Sequence, residues 1–492
     1  MSFTQDLKGL SRIPLLKVIA LPALLASLAW ISLANNYAVQ DPDLWWHLKV
    51  GDWIVANHSV PHVGILSRAT EAKPWIAYSW GYEVLLSRAY AWFGLIGLAT
   101  FNILVTVSVA SALFCMLYRL SARFWFAWLL TFVGSYAFLY SLLPRPVFFT
   151  MIFFAVELTC LFEAQRTGRT AILVRLIPLF FLWANIHIQF IYGLAVLGLF
   201  IAIELAQRLV TALGMKSDGI QAASIQPGKA SAISLACILA TCLGPYTYHI
   251  YGVFAEYSRS HVPYTIILEL QSLHFRATTH YVLLMLVAAG FYAIGWPKKL
   301  DLFRLALLII SALVAFRTAR DAWFVCIVAA ACITDVTADF ANIPGTFKVR
   351  DAAIVAFAAL VLIFLVARNT AFTTRHLDLA ISRAYPVDAA NFIRRNRLTG
   401  PLYNQLNWGG FLTWYLPDYP VSIDGRNDLY GDELDKRSFR SEQGDDYRSD
   451  PYLNNANLVL LPAQGALALM LLRDPQFRLV YEDQIARVFV RD

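Results

Sequence analysis

Two carboxylates stand two residues apart just after the first long apolar segment, in the run Asp41-Pro42-Asp43-Leu44-Trp45-Trp46-His47-Leu48-Lys49. A carboxylate at such a position can act as a general base or as a ligand for a divalent cation. The tryptophans can offer flat apolar faces to a bound molecule or anchor the segment at a membrane surface. A structural alternative is that the aspartates cap a short interfacial helix. The pattern singles out Asp43, together with Asp41, as candidate catalytic groups.

A second polar feature is the pair Asn185 and His187, at the end of an apolar stretch over 171–186. Polar side chains are costly in lipid, so this pair is expected to face a cavity or a neighbouring helix. Binding of a donor or acceptor molecule and hydrogen bonding between helices both fit the pattern.

These candidates must be positioned by a membrane bundle, since 58% of the 492 residues are hydrophobic and only 15% are charged. A soluble chain carries about 25% charged residues. Apolar runs of about 17 to 25 residues are typical of helices that span a bilayer. The sequence therefore predicts a mainly α-helical, polytopic bundle of about 11 spanning helices. Their predicted positions are 14–35, 91–117, 124–142, 147–163, 171–186, 189–207, 231–252, 280–296, 302–317, 321–340 and 351–368.

The placement of basic residues predicts the orientation of the bundle. Lys8, Arg12 and Lys17 lie at the N-terminus, which the positive-inside rule places in the cytoplasm. The even-numbered gaps between helices are expected on the same side because they carry further basic residues. These are Arg119, Arg123, Arg166, Arg169, Arg175, Arg208, Lys216, Lys229, Lys298, Lys299, Arg304, Lys348 and Arg350. An odd number of helices then places the C-terminal residues outside.

The chain is accordingly divided into a transmembrane domain over 1–368, with a long first outer loop over 36–90, and an extracytoplasmic domain over 369–492. Alternating apolar runs in the second domain predict a small α/β fold. Helices are expected over 386–396, 409–416 and 465–474, and strands over 401–404, 419–425, 457–462, 477–483 and 486–492.

Several short runs together resemble one family. They are DPDLWWHL with the following VGDWI, VP, PW and SW; Trp183-Ala184-Asn185-Ile186-His187; Gly244-Pro245-Tyr246; Arg317-Thr318-Ala319-Arg320; and NWGGFLTWYLP with SIDGRNDLYG near the C-terminus. With the acidic pair and the many helices, they resemble a bacterial branch of the GT-C superfamily of membrane glycosyltransferases. The resemblance spans most of the chain. It implies transfer of a sugar from a polyprenyl-phosphate donor to an acceptor glycan or protein, at the outer face of the bacterial inner membrane.

By this resemblance, Asp43 or Asp41 would deprotonate an acceptor hydroxyl. A nearby cation such as Lys49 or His47 is expected to lower the pKa of that carboxylate and keep it ionised. The leaving phosphate needs cationic donors, and a guanidinium suits phosphate best. The candidate phosphate ligands are Arg145, Arg317, Arg320 and Lys49, and the candidate substrate contacts are Trp46, His47, Asn185 and His187.

The arginines also have structural explanations. Arg145 lies between two prolines and can reach for the membrane interface with its long side chain. Arg317 and Arg320 flank a junction between two helices, where either can pair with Asp321.

Two other functions fit parts of the sequence. A non-catalytic protein of the same fold could dock partner membrane proteins, and the Trp-rich first loop would then face outward instead of lining a pocket. A transporter is disfavoured by the lack of inverted repeats and by the few ionisable residues near mid-helix. No cofactor and no metal site is predicted. His58 and His62 are four residues apart, but Pro61 stands between them, and a divalent cation at the acidic pair stays open.

Overall fold

The computed structural model describes residues 15–137, 143–214, 219–338, 349–370 and 372–492. The orientation prediction rests in part on Lys8, Arg12, Lys216 and Lys348, which lie outside the described residues.

Each predicted apolar segment contains a helix. These helices are Leu15–Ala34, Trp80–Ser121, Phe124–Ala137, Val147–Thr167, Leu176–Ala184, Phe190–Ala212, Pro227–Thr241, Thr278–Gly295, Leu302–Arg317, Ala322–Ala338 and Val349–Asn369. Among the described residues, 5 helices are long and apolar enough to cross a membrane, or up to 6 if the bent pair Ala353–Asn369 and Thr374–Ala384 is one span. The chain is therefore a multi-pass membrane protein, but the predicted count of about 11 spans is not confirmed.

Residues 36–90, predicted as a loop, contain helices and are here named the Trp-rich segment. A short helix over Tyr37–Gln40 is followed by a helix over Pro42–Asn57, which Asp41 caps and Pro42 opens. Both residue types are common helix-start signals. The long Trp80–Ser121 helix begins within the segment and kinks at Gly94, whose positive φ of 57° suits a residue without a side chain.

Two helices and a short 3₁₀ helix make up much of the connecting segment, residues 253–279. They are Ile250–Arg259, Pro263–Ile266 and the 3₁₀ helix Leu268–Leu270.

Residues 372–492 form the predicted small α/β fold and are named the C-terminal unit. Its strands are β1 (Leu402–Asn404), β2 (Leu458–Pro462), β3 (Phe477–Glu482) and β4 (Ala486–Arg491), in the order β1-β2-β4-β3. The β1–β2 pair is parallel and the other two pairs are antiparallel. The helices are Thr374–Ala384, Val387–Arg395, Leu406–Tyr415, Asn427–Tyr430, Asp432–Glu442, Pro451–Asn454 and Ala466–Leu471.

The strand predicted over 419–425 does not form. Val421 makes only an isolated bridge to Ser67 of the Trp-rich segment. The side chain of Asn404 accepts a hydrogen bond from the Ser422 amide at 2.8 Å and donates one to the Ile423 carbonyl at 2.9 Å. A side chain thus takes the place of a neighbouring strand, and the segment is left free to contact the Trp-rich segment.

One apolar core is shared by the Trp-rich segment and the C-terminal unit. Trp45 stacks on Trp414 with ring centroids 4.4 Å apart. It also packs edge-on against Tyr385 at 5.8 Å and Phe411 at 5.6 Å. The core therefore crosses the boundary at residue 368 that the sequence suggested.

Candidate active site

A cavity of about 580 Å³ lies where the Trp-rich segment, the connecting segment and the C-terminal unit meet. Sites for small molecules typically measure about 300 to 1,000 Å³. Its charged and polar lining residues include Asp43, Trp46, His47, Tyr78, Arg145, His187, Glu269, Arg320, Asn427, Asp428 and Glu442. The fold thus brings most of the predicted site residues to one space.

Arg145 joins three carboxylates at the wall of this cavity. Its Nε and Nη2 donate to the two carboxylate oxygens of Asp41 at 2.8 and 3.1 Å, and Nη1 donates to both oxygens of Glu269 at 2.6 and 2.7 Å. Nη2 also lies 3.5 Å from Asp43 Oδ2. Burial opposes the charge of Arg145, but Asp41, Asp43 and Glu269 outweigh it and raise the pKa of Arg145 well above its usual value. The Arg145 side chain is therefore largely buried and bound by three carboxylates, and it does not reach for the membrane interface.

Asp41 serves the structure. Its side chain is fully buried, and it caps the Pro42–Asn57 helix by accepting a hydrogen bond from the Asp43 amide at 3.2 Å. Both of its oxygens are also held by Arg145. A carboxylate bonded in this way is a strong ion-pair partner with little capacity to take a proton from a ligand. Of the two predicted carboxylates, the geometry favours Asp43 for chemistry.

Asp43 faces the cavity, with 27% of its side chain exposed. Its Oδ1 accepts a hydrogen bond from Trp46 Nε1 at 3.0 Å, and its Oδ2 lies beside Arg145. Burial raises the pKa of Asp43 to about 6, although Arg145 opposes the rise. The cation that acts on Asp43 is thus Arg145, where the sequence led us to expect Lys49 or His47.

Two histidines line the cavity as neutral rings. His47 Nδ1 lies 3.0 Å from Glu83 Oε1, and burial, followed by the charge of Arg145, lowers the pKa of His47. His187 Nδ1 lies 2.8 Å from Thr150 Oγ1. Burial, followed by the charge of Arg320, lowers the pKa of His187 to about 3. Both rings can therefore contact a ligand as hydrogen-bonding groups and not as cations.

Arg320 keeps donor capacity for an anion. Within the described part of the chain, its ion pair is with Glu269, at an Nη1–Oε1 distance of 3.8 Å. Asp321, the partner expected from the sequence, instead accepts hydrogen bonds from Gln189 Nε2 at 2.8 Å and Tyr192 OH at 3.1 Å. A guanidinium with unused N–H donors in a cavity suits a phosphate or carboxylate ligand.

Besides Asp41, three predicted site residues lie away from the cavity lining. Lys49 pairs with Asp52 at 3.6 Å, and Arg317 is exposed. Asn185 accepts a hydrogen bond from Trp80 Nε1 at 3.1 Å, which is the interhelical role that the sequence left open. None of the three enters the function proposed below.

Three carboxylates of the lining were not among the predicted site residues. Glu269 lies in the 3₁₀ helix of the connecting segment. In the sequence, only the polar composition of this segment indicated that it could belong to a site. Asp428 accepts from Trp75 Nε1 at 3.0 Å, and burial raises the pKa of Asp428 to about 6. Glu442 accepts from the Leu406 amide at 2.8 Å, and burial raises the pKa of Glu442 to about 7.

The carboxylates nearest Asp43 converge on a cation of the protein itself. Asp41, Asp43 and Glu269 all face Arg145. Among the residues that the structure describes, no group of 3 or more His, Cys, Asp or Glu side chains is arranged to hold a metal ion. Arg145 thus supplies positive charge at the point where a divalent cation had been left open.

Comparisons with known proteins bear on the fold. No family model matches the sequence, and no curated protein matches it. The structure is similar to the Archaeoglobus fulgidus oligosaccharyltransferase in complex with zinc and sulfate, at 12% identity and a TM-score of 0.51, over 90% of this chain and 68% of that chain. At such low identity, this similarity concerns the fold alone.

The structure is also similar to ArnT from Cupriavidus metallidurans. The form bound to undecaprenyl phosphate has 13% identity and a TM-score of 0.49, and the apo form has 14% and 0.47. Both alignments cover 96% of this chain and 97% of the other. The similarity to the oligosaccharyltransferase shows that this chain shares the fold of that protein, which agrees with the architecture implied by the resemblance seen in the sequence.

Proposed function

We propose that this chain is an integral-membrane glycosyltransferase that transfers a sugar from a polyprenyl-phosphate donor to an acceptor hydroxyl. The observation that carries the proposal is one cavity that contains the Asp43 carboxylate together with the guanidinium groups of Arg145 and Arg320. The donor class comes from the sequence resemblance to GT-C enzymes. No cofactor is assigned to the step.

In the proposed step, Asp43 accepts the proton of the acceptor hydroxyl while that oxygen bonds to the anomeric carbon. The bond between this carbon and the phosphate oxygen breaks, and its electron pair leaves with the polyprenyl phosphate. Asp43 becomes neutral and the phosphate gains one negative charge, so the total charge in the cavity does not change. The charge stays beside Arg145 and Arg320, where fixed cations stabilise the transition state.

The environment of Asp43 suits this role. A pKa of about 6 leaves the carboxylate ionised at neutral pH and makes it more basic than an ordinary aspartate. Arg145 lies close enough, at 3.5 Å, to hold the carboxylate in place without engaging both oxygens.

The alternative of a non-catalytic docking protein has less support. That hypothesis requires the tryptophans of the Trp-rich segment to face outward, but Trp45, Trp46 and Trp75 are all buried. Trp46 also lines the cavity, where it holds Asp43.

We further propose that the cavity opens on the outer face of the bacterial inner membrane, with the N-terminus in the cytoplasm and the C-terminal unit outside. The basic residues between the helices support this orientation. The acceptor would be a glycan or protein on that side.

The proposal is tested by sugar transfer in proteoliposomes supplied with labelled polyprenyl-phosphate sugars. Asp43→Asn removes the proton acceptor at nearly constant volume, and we expect transfer to fall by about 10²- to 10⁴-fold. The matched control is Asp52→Asn on the same helix, outside the cavity lining, which should keep near wild-type activity. Transfer at the wild-type rate by Asp43→Asn, in protein with an unchanged melting temperature, would remove Asp43 from the base role.

A further inference from the structure

A smaller cavity of about 150 Å³ adjoins the main one. The residues that line both cavities are Tyr78, His187, Tyr257, Pro263, Leu270 and Arg320. Among the described residues, the six that line both cavities include hydrogen-bond donors but no carboxylate. Asp43 and Glu269 line the larger cavity alone, and Asp321 lines only the smaller one, where it accepts hydrogen bonds from Gln189 and Tyr192. The junction is therefore suited to a negatively charged group.

The hydrogen bonds behind His187 define which of its ring nitrogens carries the proton. Trp183 Nε1 and Thr150 Oγ1 are 2.8 Å apart. An indole N–H can only donate, so Thr150 Oγ1 is the acceptor in this hydrogen bond. Thr150 is fully buried, and the described residues offer its hydroxyl proton no acceptor other than His187 Nδ1, at 2.8 Å. If His187 donated instead, that hydroxyl proton would be buried without a partner, which is costly.

His187 Nδ1 is thus an acceptor, and in the neutral ring the proton lies on Nε2. Nε2 has no hydrogen-bond partner in the described part of the chain, and His187 lines both cavities. The ring therefore presents a fixed N–H donor to a ligand. Burial lowers the pKa of His187 to about 3, so this neutral form persists at physiological pH.

We propose that the junction of the two cavities is the phosphate subsite, in which His187 Nε2–H donates to a phosphate oxygen beside the guanidinium of Arg320. This inference rests on the proposed function and deepens it. It assigns the leaving group to Arg320 and not to Arg145, whose charge already faces Asp41, Asp43 and Glu269.

The ligand class follows from the walls on either side of the junction. The smaller cavity has a mixed lining, with the apolar side chains of Ile188, Ile191 and Phe254 beside polar ones. A phosphate at the junction can carry an apolar substituent on that side. A polyprenyl phosphate fits this arrangement, and free phosphate shares its recognition chemistry.

The tautomer can be measured by NMR on protein labelled with ¹⁵N in the histidine rings, with the His187 signals assigned from a His187→Gln sample. We expect an unprotonated Nδ1 and a protonated Nε2 in the wild type and in Thr150→Ser, which keeps the hydroxyl. Thr150→Val, which lacks it, should show a mixture of tautomers. A protonated Nδ1 in the wild type would overturn the inference.

Binding in detergent, with undecaprenyl phosphate as the probe, tests the subsite. We expect His187→Leu to bind it about tenfold more weakly, whereas His187→Gln, which retains an N–H donor, should stay within about threefold of the wild type. Equal affinity of the Leu variant and the wild type would contradict the proposal. Competition by inorganic phosphate supports recognition of the phosphate group itself, and competition by undecaprenol alone contradicts it.

These readouts require no turnover. A protein that binds undecaprenyl phosphate through His187 but transfers no sugar would contradict the proposed function and leave the subsite standing. Sugar transfer with unchanged rates and affinity in His187→Leu would contradict the subsite and leave the proposed function standing.

Discussion

Two aspartates of one short motif have different surroundings. Asp41 is fully buried and gives both oxygens to Arg145, whereas Asp43 keeps part of its side chain exposed to the cavity. The first therefore holds Arg145 and the helix start in place, and the second is available to a ligand. Spacing alone could not distinguish these roles, because the difference comes from an arginine 104 residues away along the chain.

The raised pKa of Asp43 predicts how transfer depends on pH. Only the ionised carboxylate can accept a proton, so kcat/KM should fall as the pH drops through about 6 and level off above it. The measurement is kcat/KM in proteoliposomes between pH 5 and 8. Asp428 also titrates near 6 and lines the cavity, so Asp428→Asn is the control and should keep the same profile. A flat profile in the wild type would contradict the role of Asp43.

Mutation of Glu269 is predicted to increase the affinity for undecaprenyl phosphate. Its carboxylate binds Arg145 and also lies 3.8 Å from Arg320, so it competes with a phosphate for Arg320. Glu269→Gln should bind undecaprenyl phosphate at least about threefold more tightly, because like-charge repulsion is removed. Glu256→Gln, at an exposed position of the Ile250–Arg259 helix, serves as the control. Weaker binding by Glu269→Gln would show that Glu269 instead positions the arginines for the ligand.

At the scale of elements, the Pro42–Asn57 helix organises the site. Asp43, Trp46 and His47 occupy positions i, i+3 and i+4, which lie on one helix face, and all three line the cavity. Asp41 and Pro42 are residue types that commonly start a helix, so the beginning of this helix was visible in the sequence. Its residues were nevertheless assigned to a loop, because the segment is buried on several sides and lacks a clear apolar period.

Chemically distinctive side chains could be predicted, and their pairing could not. Asp43, Arg145 and Arg320 were identified because acidic pairs and arginines at helix ends are unusual in an apolar chain. Glu269 was missed because it lies in a segment of short helical turns, where no period distinguishes a site residue from a solvated one. Lys49 was included for its proximity in sequence, but its helix directs it to Asp52.

Gly425 lies where the C-terminal unit approaches Asp43 so closely that a side chain would not fit. A Cβ added at Gly425 would lie 2.1 Å from Asp43 Oδ1, so Gly425→Ala must displace the carboxylate or the chain around it. Small displacements of catalytic groups can cost about 10²-fold in rate, and we expect a loss of that order in transfer assays. Gly252→Ala is the control because nothing lies within 4 Å of its added Cβ. Near wild-type transfer by Gly425→Ala would argue against Asp43 acting from its observed position.

At the scale of the whole molecule, the apolar runs of the sequence predicted a membrane bundle but did not determine how many helices span the membrane. Apolar runs identify helices well, because backbone groups in lipid must bond within their own segment. Length is less decisive: Phe124–Ala137 has 14 residues, fewer than the roughly 20 that a bilayer requires. The site lies where segments remote in sequence meet, and long-range contacts of this kind leave no local pattern.

The shared core makes the cavity depend on contact between the Trp-rich segment and the C-terminal unit. Trp45 is fully buried against Tyr385, Phe411 and Trp414, and its loss should cost about 3 to 5 kcal/mol. We expect Trp45→Ala to make the C-terminal unit sensitive to limited proteolysis and to abolish transfer, because Gly425 would no longer be held against Asp43. Trp92→Ala, at a position 71% exposed, should change neither property. If the unit in Trp45→Ala resists protease as well as in the wild type, it folds without the Trp-rich segment, and the cavity must be closed by the connecting segment instead.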